Sequence, residues 1–153
     1  TNIVERMRID SSGRVTMPYQ PAFSSIVHIS SGNSGTLVGK GSPLTNTGSH
    51  FNSSNGRFTA PVAGRYLFAL DVSPGNNSVQ TRYFFFFFQK NGSNIGDYHL
   101  GMSETINSNS YDNLSGSIIL DLSAGDYVSG TFNYYGSWDG NLGYGHFSGY
   151  LIG

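Results

Sequence analysis

The segment Arg82–Gly92 reads RYFFFFFQKNG, five consecutive phenylalanines in a chain of which only 37% is hydrophobic. Side chains alternate across a β-strand, so Tyr83, Phe85 and Phe87 point one way and Phe84, Phe86 and Phe88 the other. One set fills the core of a two-layer fold. In an isolated sandwich the second set would lie in water, and an apolar patch of that size marks an interaction site or an aggregation hazard. A neighbouring subunit would cover it, and Phe84, Phe86 and Phe88 are the candidates for that interface. At ~1.5–3 kcal/mol per buried ring, three rings amount to roughly 5–9 kcal/mol, comparable with the ~5–15 kcal/mol stability of a whole domain. Assembly would then decide whether the fold persists. The competing reading is that a loop of the same chain covers the second face.

Working outward, bursts of β-forming residues alternate with Gly, Asn and Ser, and no stretch has the period of an amphipathic helix. Strands are expected at 22–29, 57–59, 65–72, 79–90, 95–100, 114–122, 127–135 and 146–152. The links Asn55-Gly56, Pro74-Gly75, Asn91-Gly92 and Ala124-Gly125-Asp126 supply the positive φ that tight turns need. This is an all-β sandwich or jelly roll in one domain over residues 21–153. Residues 1–20 differ: Arg6, Arg8 and Arg14 fall in ERMRIDSSGRVTMP, and a hairpin around Ser12-Gly13 with Pro18 after it reads as the end of a stem or a linker.

The totals exclude several function classes. A net charge of -1 with 11% charged residues argues against a nucleic-acid partner. No run approaches the ~18 apolar residues of a membrane helix, so no membrane insertion is expected. With no cysteine, stability must come from packing or assembly.

The phrases FNSSNGRFTAPVAGRYLFAL, FFQKNG, GSIILDLSAGDYV and HFSGYLIG, in that order, resemble the globular head of complement C1q and its relatives. Phe58, Pro61, Gly64, Tyr66 and Phe68 in the first phrase, Gly125 and Asp126 in the third, and Phe147, Ser148 and Gly149 in the last carry the likeness. The resemblance spans residues 21–153 and implies a C1q/tumour necrosis factor-like jelly roll of about ten antiparallel strands. It also implies a homotrimer that binds and does not catalyse. ERMRIDSSGRV is similar to a phrase found in the stems of bacteriophage tail fibres. The Gly-X-Y stalk of the animal proteins is missing, so their complement function does not carry over.

Little in the sequence offers catalysis. Glu5 and Glu104 are the only glutamates, there is no Gly-x-Ser-x-Gly elbow, and His28, His50, His99 and His146 lack metal-ligand spacing. No cofactor and no metal are expected. Calcium, which the resembled family sometimes holds, would look to Asp97, Asp112 and Asp139, but no Asp-x-Asp-x-Asp-Gly loop is present. Asp126 suits a turn role, bonding backbone amides. YYGSWDGNLGYGH (134–146) is the most suggestive surface loop. Tyr134, Tyr135, Trp138, Asp139, Asn141 and Tyr144 combine flat rings with groups that bond hydroxyls, as capture of a glycan or a protein requires. The competing role for Trp138 is to plug the end of the sandwich. The combined expectation is a homotrimeric knob on a virion appendage of tail-fibre type, extracellular or on the virion surface. It would bind a host-surface glycan or protein through end loops and other virion proteins through its N-terminal segment. The alternative is a capsid or tail decoration protein with no receptor role.

Overall fold

The computed structural model describes residues 6–28, 35–76, 82–96, 101–105, 110–111, 113–135 and 145–153. Among these, every regular element is a β-strand. A hairpin of β1 (Arg8–Ile9) and β2 (Val15–Thr16) precedes β3 (Ala22–His28) and four short strands, β4 (Gly35–Thr36), β5 (Val38–Gly39), β6 (Thr45–Thr47) and β7 (Phe51–Asn52). Next come β8 (Arg57–Thr59), β9 (Gly64–Val72), β10 (Gly75–Asn76), β11 (Arg82–Lys90), β12 (Ser93–Asn94) and β13 (Gly101–Thr105). The chain ends with β14 (Ser110–Tyr111), β15 (Leu114–Leu122), β16 (Tyr127–Tyr135) and β17 (Gly145–Leu151).

Two antiparallel sheets face each other. The first runs β15-β9-β17-β3-β5, with β6 also on β3; the second runs β12-β11-β16-β8-β7, with β13 also on β11 and β4 on β16. Their inner faces close on an aromatic core. Phe23 stacks on Phe51 with centroids 4.5 Å apart and meets Phe147 edge-on at 4.8 Å. Phe58, Tyr66, Phe68, Phe88 and Phe132 are fully buried around them. Gly149 is glycine because a Cβ there would sit 2.5 Å from Phe68 Cδ1 and 2.9 Å from Phe23 Cε1. Tyr66 is enclosed with its hydroxyl donating to Val62 O at 2.9 Å, and burial raises its pKa.

Three expected turns form. Gly56, Gly92 and Gly125 have φ of 66°, 83° and 89°, and Asn91 joins them at 52°. The fourth is corrected: Gly75–Asn76 is strand β10, paired antiparallel with Ser110–Tyr111. The link after β9 therefore carries a ladder of its own in place of a tight reversal. Of the expected strand at 95–100, Ile95 and Gly96 lie past the end of β12 at 93–94, and 97–100 fall outside the described residues, which resume with β13 at 101–105.

Two of the turns are bolted together. Asp126 accepts from Asn91 Nδ2 and from Ser123 N, both at 2.8 Å, and pairs with Lys90 Nζ at 2.9 Å. Asn91 Oδ1 accepts in return from Tyr127 N at 2.9 Å. These bonds to the ionised form, that from Asn91 foremost, hold the Asp126 carboxyl down to about 2. The turn role expected for Asp126 thus extends to a clamp between the β11–β12 turn and the β15–β16 link.

Candidate ligand-binding surface

The five phenylalanines divide by parity, but not as expected. Phe84, Phe86 and Phe88 are completely buried in the core between the sheets, with Phe84 stacked 5.9 Å from Phe132 and Phe86 edge-on to Phe88 at 6.2 Å. Their assignment to a subunit interface is corrected: they are the core set. The opposite set is not left in water either. Phe85 and Phe87 are 6% and 8% exposed within a single chain and meet edge to face at 5.6 Å. Partner strand β16 sets this parity, because Phe84, Phe86 and Phe88 oppose Tyr134, Phe132 and Gly130, while Phe85 and Phe87 oppose Asn133 and Thr131.

The same register sorts the binding candidates. Tyr134 turns inward and packs partly buried against the core, whereas Tyr135 turns outward and is 70% exposed. Tyr135 stands directly across from Tyr83, itself 45% exposed, and its ring lies 5.6 Å from Phe85. Tyr83, Tyr135 and the rim of Phe85 therefore form an aromatic surface where β16 leaves the sheet toward residues 136–144, with the Asn133 carboxamide beside them on β16. Trp138, Asp139, Asn141 and Tyr144 lie outside the described residues. Tyr83 carries no binding signal of its own in the sequence, because its pairing with Tyr135 is a matter of register.

A second grouping has no local signal at all. On the outward face of the first sheet, Ser24 Oγ lies 2.8 Å from His146 Nε2, and His146 Nδ1 lies 4.0 Å from Asp71 Oδ1. This brings a hydroxyl, an imidazole and a carboxylate from β3, β17 and β9 into the order used in acyl transfer. The His–Asp separation exceeds a hydrogen bond. An acyl-transfer site also needs donors for an oxyanion, and the amides around Ser24 serve ladders to β17 on one side and β6 on the other. The three side chains form a polar cluster on an outward face whose opposite margin carries the Arg65–Asp121 pair, with two uncharged rows between. Ile119, Leu67, Tyr150 and Ala22 make one row across it, and Ser117, Ala69, Ser148 and Ser24 the next. Ile26, Ile119 and Tyr150 are 37%, 56% and 48% exposed there.

Among the described residues no three His, Cys, Asp or Glu side chains gather as a metal site. Asp97, Asp112 and Asp139 fall outside those residues.

A profile of the C1q domain matches residues 22–152. The chain belongs to the C1q domain family. None of the curated protein sequences matches it. Among solved structures, the globular domain of zebrafish complement 1qA protein superposes with a TM-score of 0.62 at 22% identity, covering 88% of this chain and 98% of that one. Murine APRIL superposes with a TM-score of 0.59 at 12% identity, covering 87% and 99%. At these identities the likeness establishes the jelly-roll fold. C1q and tumour necrosis factor domains are typically extracellular binding modules that form homotrimers. No helix among the described residues is long and apolar enough to cross a membrane.

Proposed function

We propose that the chain is a homotrimeric recognition knob, the receptor-binding end of a virion appendage of tail-fibre type, acting by binding and not by catalysis. The observation that carries the binding reading is the exposed Tyr83–Tyr135 pair beside Phe85 at the end of β16. Open rings stack on sugar faces or seat a rigid protein loop at low entropic cost, and the Asn133 carboxamide supplies a partner for hydroxyls, a role also proposed for Asp139 and Asn141. The trimer is supported by family membership together with the open face of Ile26, Leu67, Ile119 and Tyr150. Its two central rows carry no charge, and small residues let a second surface approach closely. The N-terminal hairpin, whose phrase resembles fibre stems, would join the knob to other virion proteins and place it on the particle surface.

The test is glycan-array and host-cell binding by the full chain and by Tyr135→Ala and Trp138→Ala, each checked for an unchanged melting temperature. Loss of binding by roughly tenfold or more in Tyr135→Ala supports the surface. Full binding by both variants retires it. Native mass spectrometry tests the assembly, for which three times the 16.5 kDa chain mass is expected.

A further inference from the structure

The β1–β2 hairpin is amphipathic in a direction its own domain does not use. Arg8 opposes Thr16 and Ile9 opposes Val15. Continuing that register, Met7 stands across from Met17. Directly opposed residues share a face and neighbours along a strand do not. Met7, Ile9, Val15 and Met17 therefore line one face, while Arg8, Thr16, Asp10 and Arg14 line the other. All four apolar side chains are open, at 56%, 65%, 54% and 47%.

The shape of this hairpin is nonetheless closely specified. Asp10 Oδ1 accepts from Ser12 N at 2.9 Å and from Arg14 N at 3.0 Å, Asp10 Oδ2 accepts from Arg14 Nε at 2.7 Å, and Gly13 takes φ 78°. A lone two-stranded hairpin is at best marginally stable in water. A turn so fully bonded that presents an uncovered apolar stripe is built to be completed by something else.

What completes it is indicated by where the stripe leads. Met17 continues into a pocket of about 410 Å³ lined by Tyr19, Pro21, Val62 and Ile152, with Arg6 lying over the Tyr19 ring at 5.4 Å. Ile152 is 45% exposed and follows Tyr150 along the chain end, at the border of the open sheet face proposed above as the trimer seam. The apolar surface thus runs from hairpin to pocket to sheet, while the Arg14–Asp10 pair remains on the opposite, solvent side. We propose that the Met7–Ile9–Val15–Met17 face is covered by the hairpins of sister copies, making it a second, stem-side seam of the trimer; this rests on the trimeric reading. The hairpin would then register the three chains where a stem meets the knob.

The chain has no cysteine, so single cysteines report contacts cleanly. Full-length Ile9→Cys and Thr16→Cys are oxidised under mild conditions and run on non-reducing gels, and Ile9→Asp is compared with wild type by sedimentation over a dilution series. Expected are inter-chain disulfides at least tenfold more abundant for Ile9→Cys than for Thr16→Cys, and dissociation of Ile9→Asp at concentrations at least tenfold higher than wild type, with unchanged circular dichroism. A trimeric wild type whose two cysteine variants cross-link equally, or whose Ile9→Asp form dissociates like wild type, overturns the hairpin seam alone. A wild type that is monomeric at every concentration overturns the trimeric reading and this inference with it.

Discussion

The two sheets turn opposite kinds of surface outward. Strand β11, the most hydrophobic stretch in the chain, leaves little aromatic surface open: Phe85 and Phe87 are covered within one molecule, and of its rings only Tyr83 stays accessible. Strands β15 and β17 read as ordinary alternating strands, yet they present Ile119 and Tyr150 half exposed in a row with Leu67 and Ala22, beside the Arg65–Asp121 pair. A hydrophobic run thus reports how much a strand buries, and it does not report what it leaves over. The leftover surface is decided by tertiary cover, which is why the proposed subunit seam is sought on the plainer sheet.

The sharpest way to break this contrast is to put a charge on the covered strand. Phe86→Asp would leave a carboxylate among Phe88, Phe132 and the rest of a dry aromatic core. Truncating such a ring to Ala alone costs about 3–5 kcal/mol, and an unpaired buried charge costs more. The expected outcome is no cooperative thermal transition and loss of near-UV dichroism. A folded Phe86→Asp protein would show that the core assignment of this parity is mistaken.

Charging the other sheet should do the reverse. Ile119→Asp alters a side chain that is 56% exposed, so monomer stability should stay within about 0.5 kcal/mol of wild type. Assembly should fail, because an unpaired charge would be buried at the seam. Native mass spectrometry should show the single-chain mass with far-UV dichroism intact. A trimer that survives both Ile119→Asp and Tyr150→Asp would place the seam elsewhere.

How much of this the sequence discloses varies by element. The phrases containing Phe58, Tyr66, Phe68, Phe147 and Gly149 disclosed the fold because their residues meet in one core, and Asn91-Gly92 and Asp126 were legible because turn chemistry is local. Five identical residues have no alternation, and Gln89 and Lys90 place a polar group on each face, so β11 cannot declare its own parity. The parity is written in β16, where Val128, Gly130, Phe132 and Tyr134 alternate with Ser129, Thr131, Asn133 and Tyr135, and it passes to β11 only through the pairing of the two strands. Ser24 and His146 are 122 positions apart, and only the strand order brings them together. The two- and three-residue strands β4 to β7 are too short to carry a period. Of the binding candidates, Tyr134 and Tyr135 could be separated only by knowing which side of β16 is inside.

Glycine 149 gives a smaller and more local test of the covered interior. Gly149→Ala would force a methyl against the rings of Phe68 and Phe23 at 2.5 and 2.9 Å. Overpacking of this kind costs about 1–3 kcal/mol, and for a domain of this size each kcal/mol lowers the melting temperature by roughly 2–4 °C. Differential scanning calorimetry should show that fall with the subunit mass unchanged. An alanine variant as stable as wild type would mean that the two rings can shift aside.

The finest test concerns the clamp that joins the two sheets. Asp126 lies in the link leaving β15 of the open-faced sheet, and it grips Lys90 and Asn91 at the end of β11 in the covered one. Its carboxyl is held down to about 2 in the folded chain, against about 4 for an unconstrained aspartate. A depressed folded pKa contributes stability that is fully present above the unfolded value and is lost as the pH falls through the folded one. Part of the wild-type melting temperature should therefore disappear between pH 4 and about 2. Asp126→Asn should melt modestly lower at pH 7, with a flatter profile over that acid range and a difference that closes at its lower end. Parallel curves for the two proteins down to about pH 2 would show that the bonds to Asp126 add nothing to the union of the sheets, leaving the shared aromatic core to hold the open and the covered face in one molecule.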